Sequence, residues 1–205
     1  FFVVIFLFSS VLVSCVPSGT QSARGWSETA VQDGILYTGS VDGRVVAINS
    51  TTRELQWSYA ITVPSSSMSC AQSSVSTTIY STPVVDGDLV YISSYSGKVL
   101  ALNTLARSQD LPFPQKRYGE WEWDCPRTNA GSNAIVADLA MSEDAIYVSS
   151  SNGRVYSLDK EFGDLNWESD ILYKKLWTSP VIQGDTLYVS TFDGHMYTLS
   201  VETGD

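Results

Sequence analysis

From Trp26 onward the chain alternates short apolar runs with polar breaks centred on glycine. Gly34-Ile35-Leu36-Tyr37, Asp88-Leu89-Val90-Tyr91, Asp144-Ala145-Ile146-Tyr147 and Asp185-Thr186-Leu187-Tyr188 align on their tyrosines. Six residues after each tyrosine stands Gly43, Gly97, Gly153 or Gly194, preceded by Asp42, Ser96, Asn152 or Asp193. Twelve residues after it stand Asn49, Asn103, Asp159 and Ser200, and twenty after it Trp57, Leu111 and Trp167. Asp-Gly and Asn-Gly favour the type I′ turn, whose positive φ angles suit a two-residue hairpin. A hairpin is therefore predicted in each unit, between β-rich flanks. Ser81-Thr82-Pro83-Val84-Val85 and Thr178-Ser179-Pro180-Val181-Ile182 add a third short strand with its proline near the start, where no ladder bond is lost. The segments around Trp57 and Trp167 add a fourth, so each unit is predicted to be a four-stranded antiparallel sheet.

Such sheets cannot bury both faces alone, and radial stacking about an axis solves this. The expected fold is all-β, a β-propeller of about four blades. They span about 26–59, 80–123 with an insertion, 134–170 and 176–205. The tyrosines are 54, 56 and 41 residues apart, so a bare blade takes about 41 residues. That period also suits WD40 repeats, but the single Trp123-Asp124 pair is not repeated and no Gly-His precedes it. The chain instead resembles the PQQ-like repeat family, whose docking motif runs Ala-x-Asp-x-x-Thr-Gly-x-x-x-Trp. The stretch from Ala47 to Trp57 keeps Ala47, Thr52 and Trp57 but has Arg53 for the glycine. The stretch from Ser157 to Trp167 keeps Asp159, Gly163 and Trp167, and Thr203-Gly204 repeats the motif's centre. The resemblance implies that Trp57 and Trp167 are structural wedges between neighbouring blades. Burying one such ring is worth about 4–6 kcal/mol as an upper figure. It also implies a closed ring of seven or eight blades, of which this chain is expected to supply a part, as an open arc with two exposed blade faces.

The leader changes the picture of where this happens. Phe1 to Ser14 holds eleven apolar residues and no charge, too short for a membrane span of roughly 20 but suited to a signal peptide. Leu12-Val13-Ser14-Cys15 resembles the bacterial lipobox, which implies lipidation of Cys15 and a tether over 15–25 ahead of the propeller at 26–205. No methionine or basic stretch precedes Phe1, so the start is expected to be truncated. An extracytoplasmic, membrane-anchored lipoprotein is expected, on the periplasmic side or the cell surface. The net charge of −10 argues against nucleic acid as a partner, because its phosphates would be repelled.

Candidate chemistry is sparse. Cys70 and Cys125 sit in insertions of consecutive blades, about 60–78 and 107–133. They form either a disulfide, as an oxidising compartment permits, or two buried thiols. Trp121 and Trp123 stand two apart, on one face of any strand. With Tyr118 they make an aromatic contact surface; alternatively one ring is the displaced docking residue of the second blade and the other packs under the insertion. The sole histidine, His195, follows a hairpin glycine and reads as a solvated turn residue. One histidine supplies neither a histidine-based metal site nor a triad. Quinoprotein dehydrogenases share the fold, with adjacent cysteines over the quinone and calcium held by oxygens, but no adjacent cysteines occur here. No cofactor, metal or catalytic residue is expected. Similarity to the lipoprotein propellers of the β-barrel assembly machinery implies a noncatalytic scaffold for envelope proteins. The rivals are a degenerate quinone-dependent dehydrogenase and a propeller that binds a small ligand or polysaccharide.

Overall fold

The computed structural model describes residues 27–64, 74–104, 119–126, 133–172 and 175–205. The leader 1–14, Cys15 and its tether, Cys70 and Tyr118 lie outside the described residues. Four antiparallel sheets follow one another along the chain. The first holds β1 (Thr29–Gln32), β2 (Ile35–Gly39), β3 (Arg44–Asn49) and β4 (Leu55–Ala60). A small ladder of β5 (Thr62–Pro64) and β6 (Ser74–Ser76) follows. The second sheet holds β7 (Val84–Asp86), β8 (Leu89–Ser93), β9 (Lys98–Asn103) and β10 (Trp121–Asp124). The third holds β11 (Ala140–Met141), β12 (Ala145–Ser149), β13 (Val155–Asp159) and β14 (Leu165–Glu168). The fourth holds β15 (Val181–Gln183), β16 (Thr186–Ser190) and β17 (Met196–Ser200). Neighbours in sequence are neighbours in each sheet, so every unit is a meander; the first three are the four-stranded blades that the repeat predicts, and the fourth has three strands.

The central hairpins differ from the expected type I′ turns. Gly43, Gly97, Gly153 and Gly194 have positive φ, but Asp42, Ser96, Asn152 and Asp193 before them do not. Each turn closes one residue earlier, with the glycine N–H donated to the carbonyl of Ser40, Ser94, Ser150 or Thr191 at 3.0 Å. This is a type I turn followed by a left-handed glycine, the longer hairpin solution. The type I′ signature occurs at the preceding turn, where Asp33 (φ 50) and Gly34 (φ 78) join β1 to β2.

At the third turn the residue twelve after each tyrosine acts as a cap. Asp159 Oδ1 accepts the N–H groups of Glu161 and Phe162 at 2.9 and 2.7 Å. Asn49 does the same for Thr51 and Thr52, both at 2.9 Å. Ser200 Oγ accepts those of Glu202 and Thr203. A short polar side chain there holds the turn that brings the outer strand back.

Successive residues of the middle strands face opposite neighbours. In β8, Val90 and Ile92 pack with Tyr37, Val45, Ala47 and Trp57 of the first sheet. Tyr91 points the other way, into a cluster with Ile146, Val148, Tyr156 and Leu158 of the third. The third and fourth sheets meet through Ala145, Tyr147, Val155, Leu187, Val189 and Leu199. The core is thus three layers between four sheets. Val31 and Leu55 at one end of the stack, and Val181 and Met196 at the other, remain exposed in this chain.

Candidate binding surface

The docking tryptophans repeat one geometry. Trp57 lies 6.0 Å from Tyr37 at 45°, and Trp167 lies 5.8 Å from Tyr147 at 43°. Trp167 Nε1–H donates to the Val201 carbonyl of the next sheet at 3.0 Å, and its ring lies over Gly204. Trp121 copies this: 5.9 Å and 45° from Tyr91, Nε1–H donated to the Lys160 carbonyl at 3.0 Å, ring over Gly163. Trp123, on the same face of β10, packs 5.1 Å from Tyr156. Of the two readings of this cluster, packing holds for the two tryptophans, and the expected contact surface of Tyr118, Trp121 and Trp123 is corrected for them. Trp121 is buried and Trp123 half-buried between the second and third sheets, because the insertion after Thr104 moves the outer strand, and its wedge, further along the chain.

Cys125 is a free, buried thiol. Its Sγ is 3.3 Å from Ser150 Oγ and accepts from Asn152 Nδ2 at 3.6 Å. Burial pushes the thiol pKa up, opposite to what a nucleophile needs. Cys70, its expected partner, lies outside the described residues. His195 is exposed in its turn, Nδ1 3.3 Å from Asp193 Oδ1. Among the described residues no three of His, Cys, Asp and Glu gather to hold a metal ion.

Concavities among the described residues offer other sites. One, of about 460 Å³, lies where the second and third sheets meet at their cap-turn end, lined by Asp86, Asp88, Tyr91, Asn103, Lys160 and Glu161. Lys160 is already paired to Asp86 at 2.9 Å. Another, of about 160 Å³, is a mouth to which the leading segments of all four sheets contribute. Its lining includes Glu28, Tyr80, Thr82, Asp138, Trp177 and Ser179. Asp138 is its hub: its carboxylate accepts the Thr82 N–H at 2.6 Å and the Ser179 hydroxyl at 3.2 Å. The Asp138 N–H donates to Ser179 Oγ at 3.1 Å. The central hairpin turns stand beside this mouth, because Tyr95, Ser151 and Phe192 donate their N–H groups to the carbonyls of Thr78, Ala134 and Lys175 in the leading segments. None of these mouth residues was singled out from sequence.

A family model described as outer membrane protein assembly factor BamB matches residues 16–121 and 115–205. The chain belongs to this family. A curated relative of that name from Salmonella typhimurium is 30% identical over 161 residues, covering 78% of this chain and 36% of the relative. The chain spans about a third of the length of the curated relatives it matches. Among solved structures, BamB from Moraxella catarrhalis superposes with a TM-score of 0.64 at 22% identity, over 89% of this chain and 47% of that one. A quinohemoprotein alcohol dehydrogenase from Comamonas testosteroni gives 0.63 at 16% identity, over 90% and 34%. These likenesses show the propeller fold. The quinone cofactor of such dehydrogenases is an anionic tricarboxylate. The mouth offers two carboxylates and, among its described lining residues, no basic side chain; with no adjacent cysteines in the sequence, the residues present do not fit that group.

Proposed function

We propose that this BamB-family chain is a noncatalytic scaffold of the cell envelope, anchored through lipid on Cys15 and binding other envelope proteins during outer-membrane protein assembly. The observation that carries this is the family match, which runs through nearly the whole of this chain. The described geometry is in keeping with it. The repeated tyrosines and tryptophans are used in packing, the one described thiol is buried and pushed toward its neutral form, and the histidine stands in a solvated turn. What the surface offers is shape, aromatic rims and negative charge.

The test is expression of the chain behind an intact signal sequence in a diderm bacterium lacking its own BamB. Labelling with radioactive palmitate should mark the chain and vanish in Cys15→Ser. The labelled chain should co-purify with the outer-membrane barrel insertase. Absence of the insertase from a lipidated, folded preparation would overturn the scaffold reading. Dye-linked alcohol oxidation on adding quinone and calcium would replace it with the enzymatic one.

A further inference from the structure

We propose that the mouth shared by the four leading segments is a recognition pocket for an arginine or lysine side chain, presented by a partner segment with apolar flanks. This deepens the scaffold reading, on which the choice of a protein partner rests; the pocket's preference for a cation is argued from its own walls.

The walls come from a repeat that packing does not explain. Nine residues before each aligned tyrosine stand Glu28, Thr82, Asp138 and Ser179, and eleven before stand Trp26, Tyr80, Val136 and Trp177. Apart from Trp26, which lies outside the described residues, all of these line the same 160 Å³ cavity. Two carboxylates, two hydroxyls and two aromatic rings therefore converge, with no basic group among the described lining residues. Asp138 is held in place by the Thr82 N–H and the Ser179 hydroxyl; these donors are neutral, so its charge is oriented but not neutralised. Aromatic faces attract cations through the ring quadrupole, and Trp177 already does so: Lys175 Nζ lies 5.3 Å from its ring centroid.

The rim says what flanks the cation. Tyr95 packs edge-on to Tyr80 at 5.8 Å, and Phe192 packs edge-on to Trp177 at 5.2 Å. Tyr95, Trp177 and Phe192 are 48%, 39% and 74% exposed. Two aromatic pairs thus flank a carboxylate-lined hole, the anchor-and-rim arrangement in which tyrosine, tryptophan and arginine dominate binding. An anion or a phosphate would meet Glu28 and Asp138 directly and be repelled. With a net charge of −10 on the chain, long-range attraction also favours a basic partner.

The probes are two blocked pentapeptides with leucine on both sides of a central residue, arginine in one and its neutral isostere citrulline in the other. Binding is read by calorimetry and by tryptophan fluorescence on the purified chain. The arginine peptide should bind at least fivefold more tightly. Glu28→Gln, at an exposed position, should narrow the gap between the two peptides without changing thermal stability. Trp177→Ala should weaken both. Equal binding of the two peptides by the unaltered chain, no binding of either, or an arginine preference undiminished by Glu28→Gln would overturn the proposal. So would spermidine binding as tightly as the arginine peptide, or retention of a glycan in place of the peptide. None of these results depends on the envelope assay, so either reading can fail alone.

Discussion

Gly163→Ala isolates the contact that holds one blade to the next. Gly163 sits at φ +74, and a Cβ built there would lie 2.5 Å from Trp121 Cδ2, with two more ring atoms within 2.9 Å. An L-residue in the left-handed region costs about 1–2 kcal/mol. Forcing a methyl group into a filled interface costs a further 1–3 kcal/mol or so, because the indole is pinned by its Nε1–H bond to the Lys160 carbonyl and cannot slide away. The expected loss is about 2–5 kcal/mol. Gly184→Ala is the control, since Gly184 also has positive φ (+58) but nothing within 4 Å of its would-be Cβ; it should lose only the backbone part. Urea unfolding followed by tryptophan fluorescence gives both values. Gly204→Ala, where the Cβ would lie 2.4 Å from Trp167, should behave like Gly163→Ala. If Gly163→Ala and Gly184→Ala lose the same stability within about 0.5 kcal/mol, the indole does not bear on the glycine. The wedge account of the blade interface would then fail.

Arg53 takes the place of that glycine in the first unit at φ 63 and is exposed. Arg53→Gly should therefore be neutral to mildly stabilising, by less than about 1 kcal/mol in urea, since relief of backbone strain is partly offset by the freer unfolded chain. Burial first, and then the nearby Asp86 and Asp159 charges, push the Tyr91 hydroxyl up to about 12. The folded state then keeps a proton that the unfolded state gives up near pH 10. Stability from this group should be intact below pH 10 and fall as pH rises from 10 to 12; an ultraviolet phenolate titration showing Tyr91 ionising near 10 would contradict it, with Tyr91→Phe as the subtraction control. Under reducing conditions Cys125 should resist alkylation in the folded protein and react fully once unfolded, read by peptide mass mapping. Cys125 left unlabelled after unfolding without reductant would instead reveal the Cys70–Cys125 bridge.

The fold was legible because packing forces the same residue types to recur. Tyr37, Tyr91 and Tyr147 each meet a docking tryptophan, and Asn49, Asp159 and Ser200 each cap the same turn. One feature of the fold escaped, and a second, the displaced docking tryptophan, was left open between two readings. Asp-Gly fits either a type I′ turn or the end of a type I turn with a left-handed glycine, and the dipeptide alone does not say which residue closes the loop. Trp121 stands thirty residues after its tyrosine instead of twenty, so a fixed offset landed on Leu111. The available signal was the alternation of Trp121 and Trp123 just before Cys125, which is that of an outer strand displaced by an insertion.

The mouth escaped for a different reason. Its positions recur as regularly as the core, nine and eleven residues before each tyrosine and four after it, but their chemistry does not: Glu28, Thr82, Asp138 and Ser179 share an offset and almost nothing else. A core position must satisfy the same neighbour in every blade, so its residue type repeats and announces itself. A position facing the open mouth has no such neighbour. The backbone repeat fixes where its side chain sits, as the N–H groups of Tyr95, Ser151 and Phe192 on equivalent leading carbonyls show, and leaves its identity free. In a repeat fold, then, binding chemistry belongs at offsets where geometry is conserved between blades and residue type is not. Sequence periodicity alone reads such offsets as noise; only the shared cavity shows that they converge.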